Sequence, residues 1–149
     1  MIHAATENDL SEIVSLWEAI SLHEFSAYIG HENVKYFIES GELSRESKRY
    51  LDCTYVCKRR DCFLGYVVVI GDLIELLVVM PEYQNAMTGK RLYDHALKLI
   101  RQRHRKVRVE CFSNNQRANS ILKRLGYDFD GSYQDDIGFM TNKYSKRLV

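Results

Sequence analysis

The stretch Val79-Met80-Pro81-Glu82-Tyr83-Gln84-Asn85-Ala86-Met87-Thr88-Gly89-Lys90-Arg91-Leu92 decides the fold. An apolar strand ends at a proline, a short polar loop follows, and a long helix begins near Met87 or Thr88. Such a loop gathers unpaired backbone N–H groups at the positive end of a helix dipole, which is an anion-binding arrangement. Gly89 falls in the first helical turn, where glycine costs up to about 1 kcal/mol against alanine. Its missing side chain makes sense where a ligand or another backbone comes close. On these grounds alone, a plain strand–loop–helix junction with an incidental glycine fits equally well.

Upstream, residues 53–58, 62–70 and 73–79 are rich in Val, Ile, Leu and Tyr, and Arg60-Asp61 and Gly71-Asp72 punctuate them. Those breaks predict the tight turns of an antiparallel meander. The third segment is almost unbroken apolar, as in a central strand buried on both faces. Further back, residues 2–5 read as a short strand, and Thr6 with Asp9 as a variant capping box. Leu10, Ile13, Val14, Trp17 and Ile20 recur at helical spacing, predicting a helix over 8–20. A second helical stretch presents Val34, Phe37 and Ile38, and the charged segment 41–50 reads as loop or irregular helix. Downstream, a helix is predicted over about 88–104 with Leu92, Ala96, Leu99 and Ile100 inward, then a strand over 107–112. A short helix over about 116–125 turns Ala118, Ile121, Leu122 and Leu125 inward and ends at Gly126 in the C′ position. Two last strands fit 127–133 and 137–144. The order is a mixed α/β one that belongs to few folds.

At 149 residues the chain is expected to form one domain, 1–149, with a core large enough to need neither disulfide nor metal. Cys53, Cys57, Cys62 and Cys111 form no C-x-x-C pair and have no partnering histidine spacing, so no metal site is expected. They read as reduced thiols of a cytoplasmic protein. Lys+Arg number 21 against 20 Asp+Glu, which gives no global pull toward nucleic acid or an anionic membrane. The longest apolar run is far too short to span a bilayer. Residues 1–5 lead straight into a polar, helix-starting segment, so no secretory leader is expected.

The quoted stretch resembles motif A of the GNAT superfamily of N-acetyltransferases, V-x-P-x-x-[RQ]-x-x-G-x-[GA]-[KR]-x-L. Val79, Pro81, Gln84, Gly89, Lys90 and Leu92 fall in register, and Tyr83 matches a form common in the family. Asn115-Gln116-Arg117-Ala118 with Leu125-Gly126-Tyr127 resembles motif B, N-x-x-A-x-x-L-Y-x-x-L-G-[FY]. The two motifs cover about residues 74–128. The resemblance implies a mixed, mostly antiparallel sheet flanked by helices, with acetyl-CoA wedged where two central strands part. It implies that the loop amides of Gln84, Asn85, Ala86, Met87, Thr88, Gly89 and Lys90 cradle the pyrophosphate. The backbone of Leu77, Val78 and Val79 would pair with the pantetheine arm, and Asn115 would contact the cofactor. Two positions depart from the pattern: Met87 replaces a glycine, and Leu122 replaces the tyrosine that serves the family as general acid.

An amine must lose a proton to attack a thioester, and the departing thiolate benefits from gaining one. Glu75, alone in an apolar run, is the candidate base, since burial would raise its pKa. A glutamate near the sheet edge, or one paired with a basic neighbour, is the other reading. Tyr127 and Tyr133 are the candidate replacement acids, with packing as their alternative role. By resemblance, the Val79 N–H is the oxyanion donor. His23, Glu24, Tyr28 and His31 either wall an acceptor pocket or are solvated. Lys98, Arg101 and Arg105 share one helical face within a basic run that reads mainly as solvated. Asp128, Asp130, Asp135 and Asp136 form an acidic cluster that attracts a cationic acceptor or merely dresses a surface hairpin. The resulting expectation is acetyl transfer to the primary amine of a small molecule or peptide, in a possible homodimer. Met87 and Leu122 favour a different class, a weakly catalytic or non-catalytic CoA-binding regulator that works through a protein partner.

Overall fold

The computed structural model describes residues 1–84 and 87–149. Seven strands form one sheet: β1 (Ile2–Ala4), β2 (Thr54–Arg59), β3 (Cys62–Ile70), β4 (Leu73–Val79), β5 (Lys106–Phe112), β6 (Asp128–Gln134) and β7 (Met140–Arg147). Their order is β1-β2-β3-β4-β5-β7-β6, antiparallel throughout except for the β4–β5 pair. The meander predicted over residues 53–79 is β2–β3–β4.

Helices cover both faces. On one face, α1 (Leu10–Ile20) runs through a π turn, Ser21–Phe25, into α2 (Ser26–Ile29), followed by α3 (His31–Glu39) and α4 (Glu42–Arg49). Ile13, Leu16, Trp17, Ile20 and Leu43 pack there against Val56, Phe63, Tyr66, Val68 and Val78. On the other face, α5 (Thr88–Arg101) and α6 (Gln116–Arg124) bring Leu92, Ala96, Ile100 and Leu122 against Leu64, Val67, Ile74, Val79 and Val107. β3 is thus the strand buried on both sides, which its unbroken apolar run requires.

Several elements differ from the sequence reading. The segment expected as loop or irregular helix is the regular helix α4. It needs only one core residue, the fully buried Leu43, because Glu42 pairs with Arg45 on its outer side and Glu46 and Ser47 face a cavity. α5 stops at Arg101, so Arg105 does not continue its face. In α6 the buried residues are Asn119 and Leu122, while Ile121 and Leu125 are exposed. A polar side chain anchors that helix. Asn119 Nδ2 donates to the carbonyls of Phe112 (3.1 Å) and Asn115 (2.7 Å), and its Oδ1 accepts from Asn142 and Tyr144. Gly126 does end α6, at φ +88°, with Tyr127 N–H donating to Leu122 O and Gly126 N–H to Lys123 O.

At the N-terminus, the Thr6 N–H donates to the Asp9 carboxylate at 2.9 Å, but through a 3₁₀ turn that delays the helix to Leu10. Asp9 is 2% exposed and pairs with Lys58 of β2 at 2.5 Å. Burial alone would raise its carboxyl; the Lys58 ammonium and the Thr6 amide hold it below the usual range.

β4 is not buried on both faces. Ile74, Val78 and Val79 are buried, whereas Glu75 is exposed and Leu76 and Leu77 are half-buried. The reason is a break in the sheet, which also makes the site.

Candidate active site

β4 and β5 pair only at Leu73↔Arg108 and Ile74↔Val109. Beyond Ile74 the register with β3 shifts: Val69 opposes Ile74 and Val68 opposes Leu76, so Glu75 is the extra residue of a β-bulge. Bulges bend and twist a strand, and here β4 leaves β5 where Glu75 is inserted. β5 continues to Phe112 paired with β7 alone. An Asp72–Arg108 ion pair of 2.7 Å and an Arg108 N–H to Asp72 O bond of 2.8 Å close the lower end of the split.

Met80 N–H donates to Leu64 O at 2.8 Å. Given the β3–β4 register, Tyr66/Val78 and Val68/Leu76 are then the other hydrogen-bonded pairs, and the N–H groups of Leu77 and Val79 turn away from β3 into the split. The bulge sets this phase, since one extra residue reverses which amides face which neighbour.

The N-terminus of α5 lies beside this edge. Arg91 N–H closes a helical bond on Met87 O, and among the described residues the amides of Thr88, Gly89 and Lys90 have no intrahelical acceptor. Met87 adopts the left-handed conformation, φ +62°, and its side chain is 59% exposed. A glycine takes that conformation without strain, whereas methionine keeps the turn at a cost of about 1 kcal/mol. A Cβ at Gly89 would sit 3.7 Å from Val79 Cγ2 and 4.0 Å from Leu77 Cδ2, ordinary contact distances. Packing among the described residues therefore does not require the glycine. Lys90 points outward to Asp94 at 2.6 Å, and among the described residues the Gln84 side chain makes only a 3.5 Å contact to Val79 O. The cradle positions Asn85 and Ala86 lie outside the described residues.

A cavity of about 380 Å³ opens from the split toward α1, the π turn and α4. Trp17, Phe25 and Phe112 form part of its wall, packed edge-on with centroids 5.0 and 5.8 Å apart. Glu46, Glu75 and Glu110 all line it. Glu75 stays open to solvent on one side, yet partial enclosure by the cavity wall, then the charges of Glu46 and Glu110, push its carboxyl up. Burial likewise raises Glu46, with Arg49 opposing. The Tyr133 hydroxyl donates to Glu110 Oε1, and that bond is the main reason its pKa is pushed up to about 12.

Of the sequence candidates, the structure brings Glu75, Leu77, Tyr133 and Asn115 to the cavity wall, while Asn115 Oδ1 also caps α6 by accepting the Ala118 N–H at 3.1 Å. Tyr127 is not a lining residue. It is 5% exposed in the α5–α6 core, with its hydroxyl 2.6 Å from that of Tyr93. Leu122 is buried in the same core. His23, Glu24, Tyr28 and His31 do not line the cavity either; Tyr28 packs on Phe112. Asp135 holds the β6–β7 turn by accepting the N–H groups of Ile137 and Phe139. Sequence reasoning missed Glu46, Tyr66 and Glu110. The only available signal was Glu110 alternating with apolar residues in its strand, because Glu46 sat in a segment without apolar periodicity.

The model of the Acetyltransferase (GNAT) family matches residues 15–127. No curated protein matches the chain in sequence. Among solved structures, a GCN5-related N-acetyltransferase from Rhodopseudomonas palustris is similar at TM-score 0.80 and 18% identity, over 99% of this chain and 95% of that one. The PaiA N-acetyltransferase of Thermoplasma acidophilum, in complex with coenzyme A, is similar at TM-score 0.73 and 15% identity, over 96% of each chain. YncA, a putative acetyltransferase from Salmonella typhimurium with its cofactor acetyl-CoA, is similar at 0.66 and 16%, over 100% and 94%. No helix among the described residues is long and apolar enough to cross a membrane.

Proposed function

We propose, from the premise that this chain belongs to the GNAT acetyltransferase family, that it moves an acetyl group from acetyl-CoA to a primary amine held in the cavity. One observation carries the reading: the bulge puts Glu75 at the cavity mouth where β4 parts from β5, and the same bulge turns the Leu77 and Val79 amides into the split. The pantetheine arm would lie along those amides, with the pyrophosphate at the α5 N-terminus near Thr88, Gly89 and Lys90.

In this reading Glu75 takes a proton from the incoming ammonium, directly or through water. The neutral nitrogen attacks the thioester carbonyl carbon, and the Val79 N–H stabilises the negative oxygen that forms. Collapse breaks the C–S bond, its electron pair leaves with the CoA thiolate, and nitrogen loses its second proton to solvent water. Tyr133 is a poor donor to that thiolate: its phenol, pushed up to about 12 by the bond to Glu110, is a far weaker acid than an ordinary thiol, which for cysteine titrates at about 8.5. Its role is to hold Glu110. Tyr127, turned into the core, takes no part, and the thiolate leaves unaided.

Thermal melting tests the cofactor. Acetyl-CoA at 100 times its Kd should add about 2.7 kcal/mol of stability, and no shift at millimolar cofactor would sink the proposal. Release of free thiol with a panel of primary amines then tests transfer. Binding with no release for any amine would favour a CoA-binding regulator acting through a protein partner, a reading supported by the buried Leu122 where the family's acid stands. A homodimer through the β6 edge is the oligomeric form we propose, to be checked by sedimentation.

A further inference from the structure

We propose that the cavity selects an acceptor with two ammonium groups, a short aliphatic diamine, and that Glu46 and Tyr66 hold the group that does not react. The inference rests on the acyl-transfer reading above and concerns the far side of the same cavity. Three carboxylates from three separate elements converge there, Glu46 from α4, Glu75 from β4 and Glu110 from β5, and no lysine or arginine lines the cavity among the described residues. Such a concentration of like charge costs the fold stability unless a cation is bound.

The three carboxylates are not equivalent. Glu110 accepts the Tyr133 hydroxyl, and Glu75 faces the split where the reacting nitrogen must lose its charge. Glu46 is half-buried, and its carboxylate has neither a hydrogen bond nor an ion pair within 4.0 Å among the described residues. Arg49, the basic residue nearest in its charge environment, stands on the outer side of α4, 4.0 Å from Glu42.

Tyr66 supplies an independent observation. It lines the cavity and is 1% exposed, and its buried hydroxyl has no hydrogen-bond partner among the described residues. Buried polar groups are ordinarily satisfied, so an orphaned phenol calls for a partner. Its neighbour in charge is Glu46. An ammonium carries three donors, enough to serve the Tyr66 oxygen and the Glu46 carboxylate together. Trp17, Phe25 and Phe112 offer the intervening aliphatic chain an apolar wall and the cation a ring face. A monoamine neutralised by Glu75 leaves Glu46 and Tyr66 unserved; a diamine serves them.

Calorimetric titration of the CoA-loaded protein with diaminohexane and with hexylamine, beside a thiol-release assay with acetyl-CoA, tests this. The diamine should bind roughly tenfold or more tightly, the worth of one charge-assisted hydrogen-bonded group. Glu46→Gln and Tyr66→Phe should each bring the two affinities toward parity. Tyr66→Phe should also melt no lower than the parent, because it removes an unpaired hydroxyl, and so serves even if Glu46→Gln fails to fold. Equal affinities in the parent, or no binding of either amine, overturns the proposal. Tight diamine binding without thiol release keeps this site and overturns the transfer reading. Transfer at equal kcat/KM to both amines keeps the transfer reading and overturns this site.

Discussion

A methyl group at position 89 would meet Val79 and Leu77 at ordinary contact distance, so packing among the described residues leaves room for alanine where the chain carries glycine. Glycine in the first turn of α5 is then a cost the folded protein does not recover by itself. Gly89→Ala should leave melting of the ligand-free protein unchanged or raise it by up to about 1 kcal/mol. It should weaken acetyl-CoA binding, since the methyl projects beside the α5 amides. An unaltered affinity by calorimetry would return Gly89 to an incidental glycine. Glu75 has a pH signature. With its carboxyl pushed up by enclosure and by Glu46 and Glu110, it is protonated over a wider acid range than an ordinary glutamate. The rate should fall as pH drops through that raised value, and Glu75→Gln should remove this limb and lower the neutral-pH rate roughly a hundredfold. The sign for stability is opposite. A carboxyl raised in the folded state binds more protons there than in the unfolded chain, so stability falls as pH rises through its titration. Glu75→Gln should therefore melt higher than the parent at neutral pH.

Among the elements, α6 shows how a polar contact replaces an apolar stripe. The helical spacing of Ala118, Ile121, Leu122 and Leu125 was legible, yet only Leu122 of the larger three is buried. Asn119 holds the helix instead, through four hydrogen bonds to β5, α6's own cap residue and β7. Asn119→Ala should cost about 3 kcal/mol in denaturant unfolding, because it strands the buried Tyr144 hydroxyl as well as losing its own bonds. It should also loosen the end of β5 and so lower acetyl-CoA affinity, whereas an effect on neither would show the network to be dispensable. β4 carries the same lesson. Its apolar run pointed to a strand buried on both faces, and the residues left uncovered, Glu75 to Leu77, are those facing the split. Apolar composition records that a surface avoids bulk water, and a strand or a ligand can both supply the cover.

At the scale of the whole molecule, the two helical layers have different tasks. The α5–α6 side packs a continuous core, while the α1–α4 side shares its sheet face between core and cavity. If acyl-CoA fills the split as a strand-like third partner, its effect should be localised. Hydrogen exchange at Leu77, Val79 and the Thr88–Lys90 amides should slow on adding acetyl-CoA, by at least about tenfold at saturation, with β1, β2 and α3 unchanged. Uniform slowing across the molecule would mean global stabilisation without use of these amides.

The strand–loop–helix at residues 79–92, with Asn115–Ala118 and Leu125–Tyr127 behind it, determined from sequence alone which family the chain belongs to. Those features are local: proline, glycine and helix start within a few residues of each other, and their chemistry does not wait for distant partners. The meander, α5 and the Gly126 cap were legible for the same reason. Only the tertiary structure decided what the split contains. Glu46, Tyr66, Glu75 and Glu110 come from four elements, and no period links them in the chain. The extra residue at Glu75 appears only when β4 is laid against β3, because a bulge is a relation between two strands. Met87 reads as a departure in the sequence, yet the chain gives it the left-handed conformation that a glycine takes freely. The family motif at 79–92 is therefore a property of the sequence, and the acidic chamber beside it is a property of the fold.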